Sequence, residues 1–469
     1  MRTLDGETVD LPAEAVEAFG TRLRGELLTP QSPGYDDARS IWNAMIDRRP
    51  ALIARCAGTA DVVEAVRFAS EHALLNSVKS GGHNIAGQAV CEEGLMIDLS
   101  QMCGVWVDPV SLTARAQAGC TLGCVDRETQ LHGLAAVMGF VSTTGAAGVT
   151  VGGGFGYLTR RYGWTCDNLR SVEVVTADGA VRTASKTDNA DLFWAICGGG
   201  GNFGIVTSFE FELYPVGPEI VSGAIAWRGE DAPEVLKFFR SFAAEAPPEL
   251  TCVAGLRLAP PAPWLPKEMH GKLIALVVVC HSGSVEQGER DLAALKAFGS
   301  PVGDVVTRRP YVQQQALLDA TQPKGRRYYW KSDYLSELDP AAFPTLLEHA
   351  DRIASPHSAI LLFQLEGALN DLPEDHCAAG ARDTKWVLNV TGSWESPDDD
   401  DKNMTWARAC WQDMRPFSSG SAYVNFMTED EGADRLQQAY GQNHDRLREL
   451  KSKWDPHNLF RHNKNIAPQ

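Results

Sequence analysis

Three glycine clusters carry the residues whose types and spacing bear most directly on chemistry: Ser80-Gly81-Gly82-His83-Asn84, Gly152-Gly153-Gly154-Phe155-Gly156 and Gly198-Gly199-Gly200-Gly201-Asn202-Phe203-Gly204. Glycine lets backbone N–H groups come close to an anion such as a diphosphate, because no side chain stands in the way. Each cluster alone reads equally as a tight turn. Three in one region, the first directly after a strand-like run, point to a bound nucleotide. None matches Gly-x-Gly-x-x-Gly in its strand-to-helix setting, and no Gly-x-x-x-x-Gly-Lys-Ser/Thr occurs. The inference is a nucleotide cofactor held by a fold other than the Rossmann or P-loop kind. The 11 cysteines are odd in number and include no Cys-x-x-Cys pair, which disfavours a disulfide frame and a structural zinc. No metal site is expected.

The elements that must position these clusters alternate. Ala51-Leu52-Ile53-Ala54-Arg55 reads as a strand, Ala60 to His72 as a helix with Val62, Val63, Val66 and Ala69 on one face, and Asn76-Ser77-Val78-Lys79 as a returning strand. Together they form a βαβ unit. Strand-like runs follow at 95–99, 104–107 and 112–116, then a helix from Leu122 to His132. Residues 171–176 and 180–183 flank Ala177-Asp178-Gly179, whose Asp-Gly pair signals a hairpin. Pro215-Val216-Gly217-Pro218 reads as a domain boundary. Beyond it, strands such as Leu273 to Val279 and Ile360 to Leu365 and a helix from Pro233 to Ala244 indicate an α+β second domain. The acidic run Asp398 to Asp401 reads as a solvated surface loop.

Composition narrows the partners. The 469 residues fit two to three domains at about 150 residues each. Hydrophobic residues make up 44%, ample for a large core. With 43 Lys+Arg against 60 Asp+Glu, the formal net charge is −17, a field that repels nucleic acid and acidic membrane surfaces. The start, Met1-Arg2-Thr3-Leu4-Asp5-Gly6-Glu7, lacks the pattern of a signal peptide, and no run of about 18 apolar residues appears. A cytoplasmic enzyme without a membrane segment is expected.

Taken in order, Lys79 to Asn84, the Gly152 to Gly156 run with Arg161-Tyr162-Gly163-Trp164-Thr165-Cys166-Asp167-Asn168, and Asp191-Leu192-Phe193-Trp194-Ala195 leading into Gly198 to Gly204 resemble the berberine-bridge-enzyme-like FAD-linked oxidases. Tyr423-Val424-Asn425-Phe426 and Trp454 to Ile466 resemble that family's C-terminal module. The resemblance covers nearly the whole chain and is weakest from about 218 to 415. It implies an α+β fold: an FAD-binding domain of the vanillyl-alcohol-oxidase type over residues 1–217, an antiparallel-sheet substrate domain over 218–415, and a segment 416–469 that returns to the cofactor. It also implies FAD bonded covalently through His83. The cofactor contacts it implies are Lys79, Ser80, Gly81, Gly82, Asn84, Gly87, Gln88, Thr144, Gly145, Gly148, Gly152, Gly153, Gly154, Asp167, Asn168, Gly201, Gly204, Val206, Asn463 and Asn465. Some members attach FAD a second time, through a cysteine eleven residues before the glycine triplet. Here that position is Val141, so single attachment is expected, and Cys166 lies downstream of the triplet.

An oxidase of this type needs a group to take a proton while a hydride leaves for the flavin. The resemblance points to Tyr423, but the family's second tyrosine is Phe426 here. On the strand ending in Trp394 the corresponding polar position is Asn389, which can hold a substrate oxygen and cannot take its proton. Period-two alternation puts Gln364 and Glu366 on one face of their strand, making Glu366 a candidate base or else a strand-end surface charge. The aromatic run Tyr328 to Tyr334 lines the pocket or packs the sheet. Segments 35–43 and 47–56 look more like bacterial secondary-metabolite members, among them the enterocin-pathway flavin oxygenase, than like plant members. The expected reaction is removal of a hydride from a C–H next to O or N of a small natural-product-like molecule, with dioxygen as acceptor. A flavin-N5-oxide-type oxygenase acting on a polyketide, a carbohydrate oxidase, and a nucleotide-binding carrier without redox chemistry are the alternatives.

Overall fold

The computed structural model describes residues 1–469. The first half builds two main sheets and a two-stranded pair, Leu134–Ala135 with Tyr214–Pro215. The four-stranded one runs in the order Glu26–Leu28, Leu52–Arg55, Leu95–Asp98, Asn76–Lys79. Both halves of the βαβ unit are parallel to Leu95–Asp98, which lies between them, and the helix Thr59–Glu71 makes the crossover. The second sheet is antiparallel, in the order Val105–Asp108, Thr113–Gln117, Ile205–Glu212, Leu169–Val175, Val181–Ser185, and its last two strands form the hairpin turned at Asp178-Gly179.

The second half is one large antiparallel sheet in which Glu219–Arg228, Leu273–His281, Leu250–Leu258, Ala359–Gln364, Trp386–Trp394 and Arg327–Leu335 lie side by side. Both faces of this sheet are covered. Its outer face forms a 35-residue apolar core with helices that include Ala232–Glu245, Phe343–Ala350 and Asp400–Met414. Its inner face joins a 76-residue core shared with both N-terminal sheets and with residues 422–466. The chain's end is fastened to the first half by Lys451, whose buried Nζ donates to Asn202 O, Phe460 O and Asp455 Oδ2. No helix is long and apolar enough to cross a membrane.

The acidic run departs from the surface-loop expectation. Pro397–Asp399 is a single 3-10 turn and Asp400 opens the helix Asp400–Met414. Negative charge is favourable at a helix start. The Asp400 carboxylate also accepts from Arg327 Nε and Nη2, both at 2.6 Å, and from Trp394 Nε1 at 2.7 Å.

Candidate active site

A cleft of about 340 Å³ lies between the inner face of the large sheet and the glycine-bearing loops. One wall is loop backbone. After the strand Asn76–Lys79 the chain turns through Ser80 to Asn84, and Gly81 meets Gly145 backbone to backbone: a Cβ on Gly145 would sit 2.4 Å from Gly81 N and 2.6 Å from Ser80 Oγ. Gly148, Gly201, Gly204 and Val206 continue this wall, with Thr144, Gln88 and Asn463 beside them. A Cβ on Gly148 would meet nothing within 4 Å, and one on Gly201 only the Asn463 amide at 3.9 Å. Added side chains there would fill the cleft.

His83 stands in this wall. Its ring lies 3.2 Å from Thr143 Oγ1 and 3.4 Å from Thr144 Oγ1 and stacks on Trp42 at 5.0 Å. Trp42 stacks in turn on Tyr328 of the large sheet at 3.6 Å. Burial pulls the His83 pKa down to about 4, so the imidazole is neutral at ordinary pH. Val141 lines the cleft. Cys166 does not: it is buried 3.9 Å from Cys377 Sγ, and burial holds its thiol well above the usual value.

The opposite wall is made of side chains. Leu361 and Phe363 from one strand, Asn389 and Thr391 from the next and Trp330 from the third face the cleft, joined by Tyr423 and Phe426. Phe426 sits edge-on to Trp330 (5.1 Å) and Tyr423 (5.0 Å). Tyr423 OH accepts from Gly154 N (3.1 Å) and Asn425 Nδ2 (2.8 Å), and burial holds its ionisation far above the ordinary value. Asn389 Oδ1, Trp330 Nε1, Gln322 Oε1 and Asn463 Oδ1 are buried without a hydrogen-bond partner in the protein. No aspartate or glutamate is among the lining residues.

Several expected site residues lie elsewhere. Gln364 is buried on the outer face, its Nε2 donating to Ala243 O at 2.6 Å, and Glu366 lies past the strand end, paired with Lys385 at 2.6 Å near the surface. Alternation groups Gln364 with Ile360 and Leu362, whose face packs against the helices, but the strand ends before Glu366. Lys79 Nζ donates to Ala38 O (2.6 Å) and Asp98 Oδ2 (3.4 Å), bracing the sheet. Asp167 is held by both terminal nitrogens of Arg382 at 2.7 Å, and Asn168 bonds Tyr162 O, Trp164 O and Tyr214 OH. The triplet Gly152 to Gly154 sits behind the wall: a Cβ on Gly152 would strike Asn425 Oδ1 at 2.2 Å, and Gly153 (φ +103) and Gly154 press on Tyr423 and Thr165. Gly87 packs on Ile46, and Asn465 is outside the lining. Of the aromatic run, only Trp330 faces the cleft.

Trp42, Gln322, Leu361, Phe363, Thr391, His462 and Lys464 line the cleft without having been singled out from the sequence as site residues. Lys464 Nζ donates to Thr428 O at 2.8 Å, and burial lowers its pKa to about 8. Their placement depends on contacts between distant segments, for which the local sequence carries no signal.

Residues 50–185 match the FAD binding domain family, and residues 422–467 match the family described as berberine and berberine like. Over 460 residues, 97% of each chain, the sequence is 30% identical to an FAD-linked oxidoreductase of Dictyostelium discoideum. It is also 30% identical to (R)-6-hydroxynicotine oxidase of Paenarthrobacter nicotinovorans, over 95% of this chain and 97% of that one. The solved structure of 6-hydroxy-D-nicotine oxidase from Arthrobacter nicotinovorans superposes with a TM-score of 0.85 at 27% identity, covering 95% of this chain and 98% of that one.

Proposed function

Because the chain belongs to the berberine-bridge-like family of FAD-linked oxidoreductases, we propose that it is an oxidase of that family, holding FAD covalently on His83. It removes a hydride from a C–H bond next to nitrogen or oxygen of a small natural-product-like molecule and passes the electrons to dioxygen. The observation that carries this reading is one cleft with His83 on a wall of backbone and an aromatic wall opposite. The residues fit an extended cofactor, since side chains are missing at Gly148 and Gly201 where they would fill the space. A neutral His83 keeps a ring lone pair free, the form that a bond to carbon requires. When bound, FAD supplies the two-electron acceptor of the oxidation.

The chain's own residues bind and orient. Asn389 Oδ1, unpartnered on the aromatic wall, accepts a hydrogen bond from a substrate N–H or O–H. Trp330, Leu361, Phe363 and Phe426 give the substrate an apolar, aromatic surface and exclude water. Tyr423 stays protonated and fixes Gly154 and Asn425. With no carboxylate in the lining, an amine is the better substrate: its nitrogen lone pair assists loss of the hydride without a separate base. The name of the nicotine-oxidising relative agrees with this preference. The same lack of a carboxylate favours, as a second reading, the oxygenase alternative.

Intact mass after denaturation tests the attachment. The polypeptide should carry one FAD, and His83→Ala should lose it from the denatured chain. Wild-type protein at the apoprotein mass would refute the covalent bond. Peroxide formed in equal amount to substrate consumed supports the oxidase, whereas oxygen from labelled dioxygen in the product supports the oxygenase.

A further inference from the structure

The inner face of the large sheet extends beyond the aromatic wall. Strand pairing sets Arg257, Ala359, Thr391 and Trp330 side by side in one row, next to the row of Gly255, Leu361, Asn389 and Ser332. A Cβ on Gly255 would touch Leu361 Cδ2 at 3.1 Å, so Gly255, and with it Arg257 two residues on, lies on the same sheet face as the lining residue Leu361, just beyond the lining itself. At the same sheet end, Arg326 precedes the strand Arg327–Leu335, His357 precedes Ala359–Gln364 and Glu395 follows Trp386–Trp394. Arg326 reaches into this corner beside the lining residue Gln322, its Nη1 donating to Thr321 O at 3.3 Å.

The charge of this corner is not balanced. Arg257 is half-buried, and its only protein hydrogen bond runs from Nε to Leu258 O at 3.3 Å. No carboxylate lies within ion-pair distance of it. Glu395 is the one acid present. Its side chain is 74% exposed, 3.9 Å from Arg326 and 3.4 Å from His357. Two arginines of the interior show the ordinary arrangement: Arg382 holds the Asp167 carboxylate through both terminal nitrogens, with only its Nε lacking a partner, and Arg160 donates to the carbonyls of Glu366, Pro247, Leu250 and Ala246. Burial, and after it the Arg326 guanidinium, lower the Arg257 pKa. In a chain of net charge −17, Arg257 has no carboxylate partner and Arg326 has only the exposed Glu395 at 3.9 Å.

We propose that Arg257 and Arg326 form an anion subsite at the outer end of the substrate cleft and that the substrate is an aromatic molecule bearing a carboxylate. A planar guanidinium matches a carboxylate through two parallel N–H donors, and Trp330, in the row of Arg257, and Leu361, in the adjoining row, carry the aromatic body. The proposal rests on the substrate side of the function given above and deepens it.

Calorimetric titration of the holoprotein with naphthalene-2-carboxylate, naphthalene-2-carboxamide and inorganic phosphate tests it without turnover. The carboxylate should bind at least about tenfold more tightly than the carboxamide. Arg257→Gln should bring that ratio close to one, with Arg326→Gln acting in the same direction. Equal affinity of wild-type protein for carboxylate and carboxamide overturns the proposal and requires no variant. A preference that survives in both variants overturns it as well, as does phosphate binding as tightly as the naphthoate, because the aromatic wall then contributes nothing. A protein without flavin fails the oxidase reading yet leaves the ratio measurable. A flavin-loaded protein without the preference fails this proposal alone.

Discussion

The wall that carries His83 and the wall that carries Asn389 face each other across one cleft but are made of different material. The first is loop backbone, and its geometry depends on what is missing: no Cβ at Gly81 or Gly145, where two loops meet, and none at Gly148 or Gly201, where the space stays open. The second is a sheet whose side chains fill the space, with Leu361, Phe363, Asn389, Thr391 and Trp330 each on a rigid strand. Backbone recognition tolerates almost no substitution, because any side chain is too much. A wall of side chains can be altered one residue at a time while its strands keep their register. A shared cofactor with divergent substrates is what such a division allows.

The largest expected effect is on the backbone wall. Gly145→Val places a Cβ 2.4 Å from Gly81 N, and neither loop can retreat without losing its own hydrogen bonds. Soluble protein with less than about a tenth of the wild-type flavin absorbance is expected, a loss of more than about 1.4 kcal/mol in loading. Leu361→Ala on the other wall should leave flavin content intact. Full flavin in Gly145→Val would erase the distinction between the walls.

The next effect concerns the joint between them. Asp126, on the helix Leu122–Thr129, is buried and accepts from Gln315 Nε2 at 3.0 Å, and Gln315 ends the helix Tyr311–Gln315 of the other half. Burial raises its carboxyl to about 7, against about 3.9 for an ordinary aspartate. The folded chain therefore holds a proton that the unfolded chain releases in that interval. The stability contributed by the neutral carboxyl is complete below about pH 4 and is lost as the pH rises through about 7. Asp126→Asn, neutral throughout, should melt with the wild type at pH 4 and above it at pH 8. Thermal melts that stay parallel from pH 4 to pH 8 would mean that the joint is not strained by this charge.

The same contrast explains what the sequence made legible. The glycine strings, the βαβ unit and the Asp178-Gly179 hairpin are local patterns, and each could be read where it stands. The face of the large sheet could not. Ile360 and Leu362 are as apolar as Leu361 and Phe363 because helices cover one side and the cleft the other, so alternation gives parity without direction. Lys79, Asp167 and Asn168 belong to the recognisable strings yet brace the fold through Asp98, Arg382 and Tyr214. A motif records which residues a loop needs, and those that hold the loop are as necessary to it as those that touch a ligand. Trp42 reaches the site only because distant segments fold over one another, stacking it between His83 and Tyr328.

Tyr423 stands where the two walls meet, and its substitution has an intermediate effect. Tyr423→Phe removes an oxygen that accepts from Gly154 N and Asn425 Nδ2 and leaves a buried N–H without a partner, a cost of about 1–3 kcal/mol. If the residue positions its neighbours, flavin reduction in single-turnover mixing should slow about tenfold, well short of the 10²–10⁴-fold typical of a lost general base. A fall in the larger range would return Tyr423 to the role of proton acceptor.

The smallest effect is expected at Glu366, the residue for which alternation alone had argued a catalytic part. Its carboxylate pairs with Lys385 at 2.6 Å, and both side chains are more than a third exposed, at 38% and 45%. A pair so placed contributes about 0–1 kcal/mol and is screened by salt. Its strand neighbours bear this out geometrically: Gln364 binds Ala243 O on the helix side of the sheet, whereas Leu361 and Phe363 point to the cleft. Glu366→Gln should therefore reduce its flavin within about twofold of the wild-type rate, against the 10²–10⁴-fold cost of losing a true base. Covalent flavin should stay unchanged. Stopped-flow reduction under anaerobic conditions measures this. A hundredfold loss would mean that a carboxylate reaches the substrate after all, and the preference for amines, which follows from a cleft without one, would fall with it.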